Sequence, residues 1–154
     1  QTSASLLIIG VGAAMFTRFL GLSGLSGAIS QFVSSAELSY LQLMFAVVLI
    51  YLILGMFMEP FGAMLITLPV LLPIFRAEGI DLIWFGVVLV KLLEIGMVTP
   101  PVGMNVFVIR NVASKYVTVG QIFRGVTPFI IADLIVVAIA ILFPAIILFL
   151  TVLL

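Results

Sequence analysis

No cysteine and no histidine occur among the 154 residues. Their absence removes disulfides, thiolate nucleophiles, imidazole bases and the common zinc sites together. Charge is nearly as scarce. Six Lys+Arg balance six Asp+Glu, and charged residues make up 8% of the chain, against about 25% in a typical soluble domain. Without a basic excess nothing neutralises a phosphate backbone, so nucleic-acid binding is excluded. Apolar residues fill the chain instead, at 65% against about 45–50% ordinarily. A soluble domain of this size cannot hide that much apolar surface, and a disordered chain would be polar. The composition implies an all-α integral membrane protein in a lipid bilayer. The sequence opens on Gln1 with no basic segment leading into a short apolar core and cleavage site, so no signal peptide is expected. We read 1–154 as a single membrane domain, a fragment or one half of a longer protein.

A spanning helix needs about 20 mostly apolar residues. Leu38–Met58 and Leu134–Leu154 are uncharged and long enough. Segment 5–33 is expected to be a transmembrane helix. Its Gly21-Leu22-Ser23-Gly24-Leu25-Ser26-Gly27 run permits close packing or a break, and packing is the expectation. Segment 38–75 holds two apolar stretches separated by Gly55–Gly62. Its second limb, Pro60–Phe75, has 16 residues, about 24 Å at 1.5 Å per residue. That falls short of a hydrocarbon core about 30 Å thick, which favours a re-entrant hairpin over two full spans. Segment 81–113 reads as a helix broken at Thr99-Pro100-Pro101-Val102-Gly103-Met104-Asn105, because adjacent prolines remove two amide donors and clash with the preceding turn. Segment 126–154 reads as a final transmembrane helix opened by Pro128, with Asp133 near its start complementing the dipole. The region 110–124 carries Arg110, Lys115 and Arg124 and no acid, whereas 76–81 carries Arg76 against Glu78 and Asp81. Excess base in short loops marks the cytoplasm, so the hairpin is expected to enter and leave from outside.

Interruptions at membrane depth in neighbouring segments are a signature of secondary transporters. A half-helix that starts there presents amides and a positive dipole end to an anion. One that stops there presents carbonyls to a cation such as sodium. Gly55, Gly62 and Gly103 allow close backbone approach to a ligand, and Thr99 and Asn105 add side-chain oxygens. The expected substrate and ion site is therefore Gly55, Met56, Gly62, Thr99, Pro100, Pro101, Gly103 and Asn105, with Gly55, Thr99, Gly103 and Asn105 nearest the sodium. Each has a plainer alternative: turn glycines, a threonine bonded back to its own helix, a proline kink.

Leu54-Gly55-Met56-Phe57-Met58-Glu59-Pro60 with Pro69 and Pro73, Trp84-Phe85-Gly86, Glu94–Asn105 and Arg124-Gly125-Val126-Thr127-Pro128-Phe129 resemble, in order and spacing, the large membrane subunit of TRAP (tripartite ATP-independent periplasmic) transporters. The Gly96-Met97-Val98-Thr99-Pro100-Pro101-Val102-Gly103 run is the specific part. Glu59 and Lys91 depart from the usual pattern, where Asp and a neutral residue are common. The resemblance implies the C-terminal repeat of an inverted-repeat elevator fold, with a re-entrant hairpin tipped by Gly55–Gly62 and a broken transmembrane helix. It implies sodium-coupled import of a carboxylate, such as a C4-dicarboxylate, a sialic acid or a keto acid, across a bacterial or archaeal cytoplasmic (inner) membrane. The implied partners are the N-terminal half of the same permease, a small TRAP membrane subunit and a periplasmic substrate-binding protein. No cofactor is implied beyond the coupling ion.

The remaining charges have structural readings. Lys91 and Glu94 stand three apart and face one another as a pair. Arg18 snorkels or pairs with another helix. Glu59 caps the second hairpin limb, with Pro60 at its first position. No enzyme is expected, since an intramembrane hydrolase needs a nucleophile beside a base. The alternatives kept open are another ion-coupled anion permease without a binding protein, and a structural membrane subunit, which would have intact helices.

Overall fold

The computed structural model describes residues 2–152, and all regular structure among them is helical. The order is α1 (Thr2–Ser23), α2 (Leu25–Ser35), α3 (Tyr40–Phe57), α4 (Pro60–Ala77), α5 (Leu82–Val98), α6 (Met104–Ala113), α7 (Val119–Leu142) and α8 (Pro144–Val152). Of these, α3, α4 and α7 are long and apolar enough to cross a membrane. The chain is an all-α membrane protein. It divides into two compact units, 1–43 with 61–82, and 44–60 with 83–154.

In the first unit the glycine-rich run breaks the helix. Gly24 adopts φ +72° between α1 and α2, a left-handed conformation that costs glycine nothing. Ser23 Oγ donates to Leu20 O at 3.0 Å and accepts from Leu25 N–H at 3.3 Å, which ties the break together. Segment 5–33 is thus two helices rather than one. Among the described residues nothing packs on these glycines: a methyl group placed on Gly21, Gly24 or Gly27 would meet nothing within 4 Å. α3 opens on a capping box: Ser39 N–H donates to Gln42 Oε1 at 2.9 Å, and Gln42 N–H returns to Ser39 Oγ at 3.4 Å. α4 starts at Pro60, the position where a missing amide costs nothing. It ends in a Schellman turn, with Ile80 N–H on Phe75 O at 2.8 Å, Gly79 N–H on Arg76 O at 3.3 Å, and Gly79 at φ +67°.

The second unit is organised around α5. Its Trp84, Phe85, Val88, Leu89, Leu92 and Leu93 are all buried. Phe85 meets Tyr51 of α3 edge-on with ring centroids 6.4 Å apart. Trp84 Nε1 donates to Ala140 O of α7 at 2.8 Å. That carbonyl needs an outside donor. Its helical partner would be residue 144, a proline without an N–H. The residue before a proline is pushed out of the helical region, and Phe143 sits at φ −128°, ψ 69° as the C-cap of α7.

The final segment departs from the expected single helix over 126–154. Helix α7 begins seven residues earlier, at Val119, because Thr118 and Gln121 form a complete capping box. Pro128 therefore lies inside the helix rather than opening it. Asp133 is well inside α7, not near a helix N-terminus, and its partner is Lys91 Nζ at 2.9 Å. The dipole account of Asp133 is replaced by an ion pair. Lys91 also reaches Glu94 Oε2 at 3.3 Å.

Candidate functional site: a broken helix beside two helix ends

The chain leaves helical conformation at Thr99 and returns at Met104. Pro100 and Pro101, joined by a cis peptide bond, supply no amides for Gly96 O and Met97 O, the carbonyls one turn earlier. Gly96 O instead accepts from Thr99 N–H at 3.0 Å. Ile95 O accepts from the Thr99 hydroxyl at 2.5 Å. Thr99 is thus bonded back to its own helix, the plainer of its two readings, and as a donor its Oγ1 keeps its acceptor lone pairs. Gly103 takes φ +58° and is buried. A methyl group there would lie 3.1 Å from Phe123 Cε1 and 3.3 Å from Thr99 O, so both the backbone angle and the space call for glycine. Helix α6 then starts with no side-chain cap. Its first amides face the break, with Asn105 exposed at its second position.

A second helix end lies beside this break. Gly55 is inside α3, two residues before its end, and Gly96 is two residues before the end of α5. The two glycines touch. A methyl group on Gly55 would lie 2.9 Å from Gly96 Cα, and one on Gly96 would lie 2.6 Å from Gly55 Cα and 3.1 Å from Leu52 O. Only two glycines let the backbones meet this closely. The consequence is electrostatic. Each helix C-terminus carries about half a negative charge on its last carbonyls, and here two such ends converge. The start of α6 brings about half a positive charge to the same break. A cation is favoured at the first place and an anionic group at the second.

Gly55, Thr99, Pro100, Pro101 and Gly103 are therefore gathered in one region of the second unit, with Met56 in the last turn of α3. Gly55 uses its Cα face for the helix contact. Gly62 belongs to the first unit, in the first turn of α4, where it lines a small apolar crevice with Gly12, Ala13 and Phe16 of α1. Arg18 is exposed on α1. Two residues missing from the expected set matter here: Gly96, which completes the helix contact, and Phe123, which packs on Gly103. A glycine inside a helix costs about 1 kcal/mol against alanine, so Gly96 between Ile95 and Met97 was a readable packing signal.

Residues 1–146 match the family described as "Tripartite ATP-independent periplasmic transporter, DctM component". The chain is 34% identical over 145 residues to the isethionate TRAP transporter permease protein DctMQ of Oleidesulfovibrio alaskensis, covering 94% of this chain and 22% of that protein. It is 34% identical over 141 residues to the C4-dicarboxylate TRAP transporter large permease protein DctM of Pseudomonas aeruginosa, covering 92% and 33%. It is 30% identical over 144 residues to the sialic acid TRAP transporter large permease protein SiaM of Vibrio cholerae, covering 94% and 33%. The chain spans between about a fifth and a third of the length of these relatives. The match over nearly all its residues, on a chain whose helix breaks at Thr99-Pro100-Pro101, means that this protein belongs to the DctM component family of tripartite ATP-independent periplasmic transporters.

Proposed function

We propose that this chain is part of the permease of a secondary transporter that takes up an organic carboxylate with sodium across a bacterial or archaeal inner membrane. The convergence of the α3 and α5 C-termini at Gly55 and Gly96, beside the open α6 N-terminus, carries the reading. Sodium needs oxygen ligands and no thiol or imidazole, and converging carbonyls with Thr99 Oγ1 supply them. The substrate carboxylate takes the amide end of α6, while Asn105 adds its side-chain oxygen to the sodium ligands. Relatives named for C4-dicarboxylates and for sialic acids support a carboxylate substrate. A relative is named for isethionate, a sulfonate, and a helix N-terminus accepts a sulfonate as it does a carboxylate, since both are anions. The chain performs no bond chemistry. In this reading 38–75 is a re-entrant hairpin, the chain is one of two inverted repeats, and the domain bearing the break moves against a scaffold as an elevator. A periplasmic binding protein delivers the substrate, and a small membrane subunit and the other repeat complete the carrier.

The test uses the full-length permease with its partner subunit in proteoliposomes, binding protein outside. Uptake should require a sodium gradient and no ATP; equal uptake on a proton gradient alone rejects sodium coupling. Thr99→Val keeps shape and deletes an oxygen, and Asn105→Leu deletes the amide. Losing one neutral ligand costs about 1–3 kcal/mol, so the sodium concentration for half-maximal uptake should rise roughly fivefold to a hundredfold at normal expression. Unchanged sodium dependence in both variants would reduce the break to a kink.

A further inference from the structure

Lys91 is shared by two carboxylates, Glu94 Oε2 at 3.3 Å and Asp133 Oδ1 at 2.9 Å. With all three groups ionised the cluster carries one net negative charge. Asp133 stands 14 residues after Val119 and nine before Leu142, about 21 Å and 14 Å from the two ends of α7. That is the interior of a bilayer-crossing helix, where an uncompensated charge is costly and meets a partner. The preceding basic residue of α7, Arg124, lies nine residues away, about 14 Å along the axis. The carboxylate with room for another cation is Glu94, whose side chain is 55% exposed.

Glu94 does not stand alone. It continues an outward stripe on α5, Ile83, Val87 and Val90, each exposed, at the helical spacing of one face. This stripe borders an apolar groove of about 690 Å³ between α5, α7 and α8, with Lys91 in its wall. We propose that the groove seats a transmembrane helix of the same permease polypeptide, from outside these 154 residues, and that this helix presents a lysine or arginine to Glu94. A lipid chain would fill the apolar part but bring no positive charge to this depth, since headgroup charges lie at the surface. A second copy of this face would set the same negative cluster against itself, a like-charge contact across the two-fold. The relatives, of which this chain spans 22% and 33%, have chain to supply such a helix. The inference rests on family membership and membrane insertion, not on sodium coupling, and its readout is contact rather than transport.

The experiment places a photo-crosslinking amino acid at Val87 or Val90 of the full-length permease in its own membrane, and identifies crosslinked peptides by mass spectrometry. The expected product joins this face to a transmembrane helix outside the segment, with a lysine or arginine within one turn of the crosslinked residue. Glu94→Lys should lower that yield at least fivefold, and changing the partner's basic residue to glutamate should restore it. If Glu94→Lys does not insert, Glu94→Gln, with the basic residue neutralised separately, carries the same comparison, and each change alone should lower the yield. Crosslinks only to lipid, to a second copy of this face, to a different polypeptide or to a helix without a basic residue overturn the proposal. So does a yield indifferent to the charge at 94.

Discussion

Trp84 donates its indole N–H to the carbonyl that Pro144 leaves without a helical partner. The pairing explains a buried tryptophan in a wholly apolar stretch of α5, since an indole N–H away from water needs an acceptor. Trp84→Phe keeps an aromatic ring and removes the donor, leaving Ala140 O unsatisfied. The expected cost is about 1–3 kcal/mol, seen as a lower thermal midpoint of the detergent-solubilised permease. Pro144→Ala supplies an amide to the same carbonyl, so the cost of Trp84→Phe should shrink in the Pro144→Ala background. Equal costs in both backgrounds would mean that ring packing, not the hydrogen bond, accounts for the loss. The donor was legible as a residue type; its acceptor, 56 residues away, was not.

At the scale of elements, the meeting of α3 with α5 depends on two missing side chains. Gly96→Ala would place a carbon 2.6 Å from Gly55 Cα and 2.8 Å from Gly55 C. Backbone cannot yield as a flexible side chain would, so the two helix ends must separate. If those ends hold the coupling cation together, Gly96→Ala should abolish uptake or raise its sodium requirement at least tenfold, with the full-length protein still inserted. Wild-type sodium dependence in Gly96→Ala would detach the helix contact from the site. Residue type alone carried the break after Val98, because Pro100 and Pro101 cannot donate in any context. The start of α7 was legible too: Thr118 and Gln121 stand three apart, a capping-box spacing. Composition masked it, since Lys115 and Arg124 made the region look like a polar loop.

For the whole molecule, the re-entrant reading of 38–75 makes a topological prediction. Helices α3 and α4 have 18 residues each, about 27 Å, so length alone permits a crossing. The hairpin predicts that both ends lie on one side. The chain has no cysteine, which makes the test direct in a full-length permease cleared of other cysteines. Leu38→Cys and Glu78→Cys should both react with a membrane-impermeant maleimide from the periplasmic side, and Ser114→Cys only from the cytoplasm. Labelling of the first two from opposite sides would make α3 and α4 two full spans. Composition alone determined that the protein belongs in a membrane, because an apolar excess cannot be hidden by any soluble fold of this length. Local chemistry determined where helices must stop: at paired prolines, and before Pro144. Only the tertiary structure decided which partners answer those stops. Gly55 was a turn glycine or a ligand glycine on sequence grounds and became a helix contact once Gly96 lay against it. Asp133 was a dipole complement until Lys91 reached it. Both depend on contacts between distant segments, and such contacts follow from how helices pack, which periodicity within one helix does not encode.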